Sequence, residues 1–397
     1  MKRVLLAVGL AALPLVPIAE RVGAQRGGAA QFPGGTNPDG SLRPSAPVSR
    51  LFTQDAYTEY ALLEPGSESF RITFLPEETR PGATELVNAT RGGSEGSGIE
   101  VYDPRTGSPL KFTYTQAGND PESHAIRATL PRPVPEGGVG RVLIYKTYKD
   151  PRTYMTNGKD LVWVRSLSGY RLGVILPKGY AFTSSNVAAH MTPTADGRLK
   201  LAFANPSGQA NPVTIHAHPT TAAFTAPGKF DDVFFDDIKT TYDLGDPKSG
   251  RIAVEQVYSD YRKGPRARLD SLAYMALADL KVIDLDTATA LETVKERGGT
   301  YAKLEVPIVD DRQSAHLEIT GTLQGAGYTM VRNDLVFARE LKGLRNTVVL
   351  PAGWEVASVS EAATIGTDRG GRVLVSLINL NAQNSYRVTI RAARMKA

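Results

Sequence analysis

Apolar residues recur along this chain at every second position, in short runs broken by Gly, Pro, Asn or Asp. A period of two is the spacing of one face of a pleated strand, and the breakers are turn formers. The pattern therefore predicts packed antiparallel sheets. One stretch occurs twice: DLVWVRSLSGYRLGVILPKGY, Asp160 to Tyr180, returns as DLVFARELKGLRNTVVLPAGW, Asp334 to Trp354, at a constant offset of 174 and without a gap. Arg165, Gly169, Arg171, Pro177 and Gly179 reappear as Arg339, Gly343, Arg345, Pro351 and Gly353. Two unrelated strands would not share so much, and an internal duplication is the reading.

In each copy two β-branched and aromatic runs flank Ser168-Gly169 or Lys342-Gly343, which predicts a β-hairpin with a glycine at positive φ. The Leu-Pro-x-Gly that follows should stop the second strand, and Asp196-Gly197-Arg198 and Gly370-Gly371-Arg372 should be further tight turns. The correspondence extends in both directions. Thr58–Leu62 matches Thr241–Leu244, GIEVYDPRTGSPL matches DLKVIDLDTATAL, HAIRATLPRPV matches YAKLEVPIV, and LKLAFAN matches VLVSLIN.

The expected fold class is all-β, with two homologous tandem repeats at residues 51–219 and 236–397. Each would hold one large or two small antiparallel β-sandwich units. RARLDSLAYMALADL, residues 266–280, has helix-forming composition, but its alignment with the first copy makes strand the expectation.

The flanks differ in kind. Met1-Lys2-Arg3, an apolar run from Val4 to Ala19 and the small residues Val22-Gly23-Ala24 read as a signal peptide over residues 1–24. Residues 25–50, rich in Gly, Pro and Ser, read as a disordered linker. Residues 220–235 form the connector, with Phe234 and Phe235 expected to dock on a sheet. The spaced oxygen ligands of a calcium loop are missing from it.

Composition narrows the compartment. There is no cysteine, which excludes disulfides, thiolate metal sites, a lipoprotein anchor and a cysteine nucleophile together. Export, to the periplasm or outside the cell, with no transmembrane segment after signal removal, is the expected localisation. Of the net charge of +5, the leader carries +2, and the remainder is scattered among acidic residues. That excludes a concentrated nucleic-acid-binding face.

Candidate chemistry is thin. Gly92-Gly93-Ser94-Glu95-Gly96 satisfies G-x-S-x-G, but a strand rather than a helix should follow it, so a loop is expected. His216 and His218 lie two apart on a strand and face the same way, without a third metal ligand in view. His124, His190 and His316 stand alone. Arg165 and Arg171, with Arg339 and Arg345, suit a carboxylate or a sugar-linked anion, or else pair with Asp160 and Asp334. Trp163 and Tyr180 are replaced by Phe337 and Trp354, which suggests core. Tyr148 and Tyr170 give way to leucine, which suggests surface. The speculative ligand-binding set is therefore Arg165, Arg171, Tyr148, Tyr170, Arg339 and Arg345. No catalytic residue, metal or cofactor is assigned.

Val101 to Leu110 (V-x-D-x-x-x-G-x-x-L), Ile126 to Gly137 (I-R-A-T-L-P-x-P-V-x-x-G) and VLIYKTY from Val142 resemble the N-terminal β-sandwich of secreted zinc aminopeptidases. The resemblance implies fold, not activity, because no H-E-x-x-H occurs. The whole chain also resembles exported bacterial proteins built of sandwich repeats. The functional expectation is a non-catalytic binding or structural protein whose partner is a protein or glycan of the cell envelope. The alternative is an envelope hydrolase with a carboxylate-based site.

Overall fold

The computed structural model describes residues 57–90, 92–119, 121–167, 169–205, 211–222, 224, 237–260, 266–269, 277–296, 299–325, 327–379 and 385–395. The stretches expected to be signal peptide (1–24) and linker (25–50), and most of the expected connector (220–235), lie outside these residues. So do residues 270–276, while Arg266–Leu269 and the start of Ala278–Asp284 are strand, as the alignment favoured. The fold is all-β, with no helix among the described residues.

The front half is built on a seven-stranded sheet. Its order is His190–Pro193, Leu199–Ala204, Arg171–Ile175, Tyr57–Leu62, Ser69–Leu75, Leu143–Lys149, Glu95–Tyr102. Two smaller sheets pack side by side against one of its faces. The first is four-stranded: Tyr154–Asn157, Asp160–Leu167, Asn211–Pro219, Tyr180–Ser185. The second is three-stranded: Glu85–Ala89, His124–Thr129, Phe112–Gln116. A short pair, Glu77–Glu78 with Gly140–Arg141, stands beside them.

The rear half repeats this order strand for strand. Its large sheet runs Thr364–Thr367, Val373–Ile378, Arg345–Val349, Asp237–Leu244, Arg251–Asp260, Ala315–Gln324, Ala278–Asp284, and adds an eighth strand, Thr289–Ala290. The four-stranded sheet is Tyr328–Val331, Asp334–Leu341, Tyr386–Arg394, Trp354–Val359, and the three-stranded one Arg266–Leu269, Gly299–Ile308, Thr293–Glu296. Even the irregularities correspond: register slips between Phe182 and Ser184 in one half and between Val356 and Ser358 in the other.

Packing follows the alternation. Against the four-stranded sheets, Tyr60, Phe70, Tyr148, Trp163 and Ile215 form the front core, and Tyr242, Ile252, Phe337, Trp354 and Ile390 the rear core. Under the three-stranded sheets lie Leu86, Val101, Ile126 and Ile144 in front, and Val282, Leu304, Leu317 and Ile319 behind. The opposite face of the front large sheet meets the rear half, where Leu344 packs on Tyr57, Leu75, Leu143 and Ala202. Full burial of such side chains contributes about 1.5–3 kcal/mol each.

Two expectations about connection are corrected. Asp160–Leu167 and Arg171–Ile175 do not pair: the former bonds to Asn211–Pro219 and the latter to Tyr57–Leu62 and Leu199–Ala204. The link from Leu167 to Arg171 through Gly169, and likewise Lys342-Gly343, is therefore an arch that carries the chain from one sheet to the facing one. Periodicity and a turn glycine are common to a hairpin and an arch. What decides is that Asn211–Pro219 takes the place beside Asp160–Leu167. The sheets are also not wholly antiparallel, because Tyr57–Leu62 runs parallel to Arg171–Ile175, and Asp237–Leu244 to Arg345–Val349.

The remaining turns stand as read. Gly197 and Gly371 have positive φ and close their hairpins through hydrogen bonds to Thr194 O and Asp368 O. At the rear arch Gly343 has φ +83°, and a Cβ there would lie 2.7 Å from Ile238 Cβ and 2.9 Å from Ile238 O. Gly343→Val is thus expected to combine left-handed strain with a clash against backbone, costing about 2–4 kcal/mol. An unchanged melting temperature would refute the arch geometry.

Candidate functional site

Six residues of interest from the sequence do not form one site. Arg171 is fully buried, with its guanidinium 5.5 Å from the Tyr57 ring. Arg345 is buried and stacks 4.7 Å over the ring of Tyr170, so a rear arginine meets a front tyrosine. Arg339 is half-buried in the rear half. Arg165 and Tyr148 do come together, with the guanidinium 5.8 Å from the ring. Tyr148, expected at the surface, is 2% exposed, because its place in the strand alternation points into the front core. The acid beside Arg165 is not Asp160 but Asp150, at 3.8 Å.

Around that pair lies a buried polar cluster where the two small front sheets meet over the large one. Leu143–Lys149 alternates Ile144, Lys146 and Tyr148 toward the covering sheets, so Lys146 is delivered into the interior as an apolar residue would be. Its ammonium donates to Asn88 Oδ1 at 2.5 Å and lies 4.8 Å from the Tyr148 ring and 5.7 Å from that of Phe74. Burial, reinforced by the Arg165 charge, pulls its pKa down to about 7.

Asp150 is fully buried at the turn that ends the same strand. Its carboxylate accepts bonds from Ser94 Oγ (2.9 Å), Thr153 Oγ1 (2.7 Å) and the Arg152 amide (3.1 Å). Ser94, of the G-x-S-x-G stretch, is therefore tied down rather than loose. A strand, Glu95–Tyr102, follows it, so no nucleophile elbow is present. Burial drives the Tyr148 phenol upward, keeping it protonated, and Thr90 is its hydrogen-bond partner.

A second cluster joins the halves. Arg141 Nε and Nη2 reach the two oxygens of Asp286 at 2.7 and 2.5 Å, and Nη1 donates to Ser314 Oγ at 2.8 Å. Arg105 bonds Asp284 at 3.0 Å and Glu305 at 2.6 Å. Main-chain bonds from Val139 N to Leu285 O and from Ser314 N to Pro104 O close the seam. Burial and the neighbouring Asp286 charge push Asp284 up, against the pull of Arg105. Burial also opposes ionisation of Asp286, but Arg141 outweighs it and holds that carboxyl below its usual range.

His316, solitary in the sequence, belongs to this seam. Its Nδ1 is 2.7 Å from Ser259 Oγ and its Nε2 3.2 Å from Glu77 Oε1. The grouping has the composition of a nucleophile, base and acid, but all three are buried, and Ser259 is a cross-strand neighbour of His316 in the middle of a sheet. It serves to join Glu77 of the front half to the rear sheet.

His216 and His218 are exposed on one strand face, and His218 Nδ1 meets Thr183 Oγ1 at 2.8 Å. Among the described residues no group of three or more His, Asp or Glu is arranged to hold a metal.

Edge strands carry the remaining notable feature. Met155 and Met330 occupy equivalent outer strands of the two four-stranded sheets, and Met191 and Ile365 equivalent outer strands of the two large ones. All four are exposed, Met191 to 52%.

No protein-family model matches the chain. No curated protein matches it either. Among solved structures, a zinc metallopeptidase of the M1 family from Deinococcus radiodurans is similar over 47% of this chain and 42% of its own, with 12% identity and a TM-score of 0.28. An aminopeptidase N family protein from Idiomarina loihiensis is similar over 44% of this chain and 31% of its own, with 9% identity and a TM-score of 0.27. The chain thus spans less than half the length of either.

Proposed function

We propose that this chain is an exported, non-catalytic β-sandwich protein of the cell envelope, formed by duplication of one module, which binds a partner through its sheet edges. The observation that carries the reading is the recurrence of an exposed apolar side chain at a matching edge position, Met191 opposite Leu201 in one half and Ile365 opposite Val375 in the other. An edge strand offers a row of main-chain donors and acceptors, and soluble proteins usually protect such edges with charge. An extended polypeptide can add itself there as a further strand, seated by alternate side chains. This favours a protein over a glycan as the partner. The carboxylates that a hydrolase would need support the same choice: Asp150, Asp286 and Glu77 are buried and engaged with serine, arginine and histidine side chains.

The test is site-specific photo-crosslinking from positions 191 and 365 in envelope preparations, with Met191→Lys and Ile365→Lys as a paired variant. A discrete adduct is expected in the parent and should vanish in the variant, while stability changes by no more than about 0.5 kcal/mol. Adducts that survive both lysines would sink the edge-binding reading.

A further inference from the structure

We propose that the polar cluster between the two small front sheets is a binding site for a small oxyanion, a carboxylate or phosphate group, held by Arg165 and Lys146. The site is separate from the sheet edges and does not depend on them.

Charge is the first argument. Arg165 is nine-tenths buried, and its guanidinium is enclosed by the rings of Tyr60, Phe70 and Tyr148 at 5.1, 5.4 and 5.8 Å. Its Nη1 is buried without a hydrogen bond, and the nearest carboxylate oxygen, Asp150 Oδ2, is 3.8 Å away. That oxygen already accepts from Ser94 and Thr153. Lys146 donates to Asn88 and has further donor capacity. The two cations thus stand largely out of solvent and oppose each other's charge, and the carboxylate nearest Arg165 is already engaged. Leaving positive charge uncompensated there is costly, and a bound oxyanion relieves it. A guanidinium fork beside an ammonium is well suited to planar or tetrahedral oxygens.

Comparison between the halves is the second argument. In front, one row across the large sheet reads Lys146, Ile72, Tyr60, Val174. The corresponding rear row reads Gly321, Val254, Tyr242, Val348. A Cβ on Gly321 would lie 2.8 Å from Leu277 Cβ, so a leucine closes off the space that the front half gives to lysine. Gly325 stands where Asp150 does, as shown by their matching main-chain bonds to Gly250 O and Glu68 O. The rear half keeps Arg339 without the lysine and the acid. A purely structural role for the cluster would not need it in one half alone.

Proton linkage makes the site measurable. The groups set against the pair are Asp150 and Arg152 from the turn, Tyr148 on the lysine's own strand, Tyr60 on the large sheet and Tyr114 on the three-stranded sheet. Lys146 holds its proton only partly at pH 7, so an anion that requires the ammonium must draw a proton in as it binds. Affinity is expected to fall by about tenfold per pH unit above pH 7.

The experiment is calorimetric titration of the full chain with inorganic phosphate and, separately, with acetate. It is run near neutral pH in two buffers of different ionisation enthalpy, on the parent and on Lys146→Met. Saturable binding with net proton uptake is expected for at least one anion, and its loss in Lys146→Met. Phosphate alone would assign a phosphate ligand, acetate alone a carboxylate. Absence of binding by both, binding without proton uptake, or unchanged binding by Lys146→Met would each overturn the proposal.

The variant should fold. The folded chain releases the Lys146 proton near pH 7, whereas a solvated lysine in the unfolded chain holds it to 10.5, so stability from this group rises with pH across that window. Below the window methionine removes a cost. Should it nevertheless fail to fold, the proton uptake of the parent alone decides the matter.

Discussion

Arg141→Ala is expected to destabilise the folded chain by about 3–5 kcal/mol, the range seen when one partner of a buried ion pair is removed. Asp286 would keep its charge in a buried setting while losing both of its bonds to the guanidinium, and Ser314 would lose two more, at its hydroxyl and its carbonyl. The loss should also uncouple the halves, since Arg141 and Asp286 stand on opposite sides of the seam. The two tryptophans make this visible, because Trp163 is buried in the front core and Trp354 in the rear core. Trp163→Phe, which copies the rear Phe337, leaves a reporter of the rear half, and Trp354→Tyr, which copies Tyr180, leaves one of the front half. In urea the two reporters should give one transition in the parent and two separated transitions once Arg141 is gone. The double variant Arg141→Met with Asp286→Leu should recover much of the loss, because the orphaned charge is then absent. A single-site loss below about 1 kcal/mol would mean that water satisfies Asp286 and that the seam is held by its apolar contacts.

Asp150→Ala should be comparably severe, at about 3–5 kcal/mol, and for a different reason. The carboxylate is the only buried acid beside Arg165 among the described residues, and it also fixes the turn through Ser94, Thr153 and the Arg152 amide. Asp150→Asn retains an acceptor but not the charge. It should therefore cost less than alanine and leave Arg165 uncompensated next to the Lys146 charge. Adding Lys146→Met to Asp150→Asn should return stability by relieving that repulsion. Equilibrium unfolding of the two single variants and the double measures the coupling directly, and strictly additive changes would show that Lys146 and Asp150 do not sense each other.

The duplication signal at Asp160 and Asp334 made the all-β class and the strand inventory legible, because identical residues at one offset need no structural knowledge to notice. Pairing was not legible to the same degree. A run such as LVWVRSLSGYRLGVIL reports which side chains share a face. It does not say whether the chain folds back within one sheet or crosses to the next, and the strand that decides the matter, Asn211–Pro219, lies far along the chain. Arg165 stands out in the sequence as an anion ligand or a partner of Asp160, and Tyr148 as a surface group, since repetition or replacement between copies says nothing about depth. The sharper signal lies in LIYKTYK, where the lysine falls in the same phase as Ile144 and Tyr148, so the alternation itself sends a charge inward. His316 was harder to place, because its partners Ser259 and Glu77 come from another strand and from the other half.

The two parallel pairings have a consequence for how the chain assembles. Tyr57 lies beside Arg171, and Lys239 beside Arg345, so the opening strand of each half is flanked on one side by residues made more than a hundred positions later. Closing so long a loop is entropically expensive, and contacts of high sequence separation slow folding. Until the later strand arrives, a central strand of the large sheet has an open flank, in each half in turn. A growing or unfolded chain therefore passes through two intervals of heightened risk of mispairing, and the sequence likeness of the strands on either side of each arch offers each half the other's strand as a wrong partner.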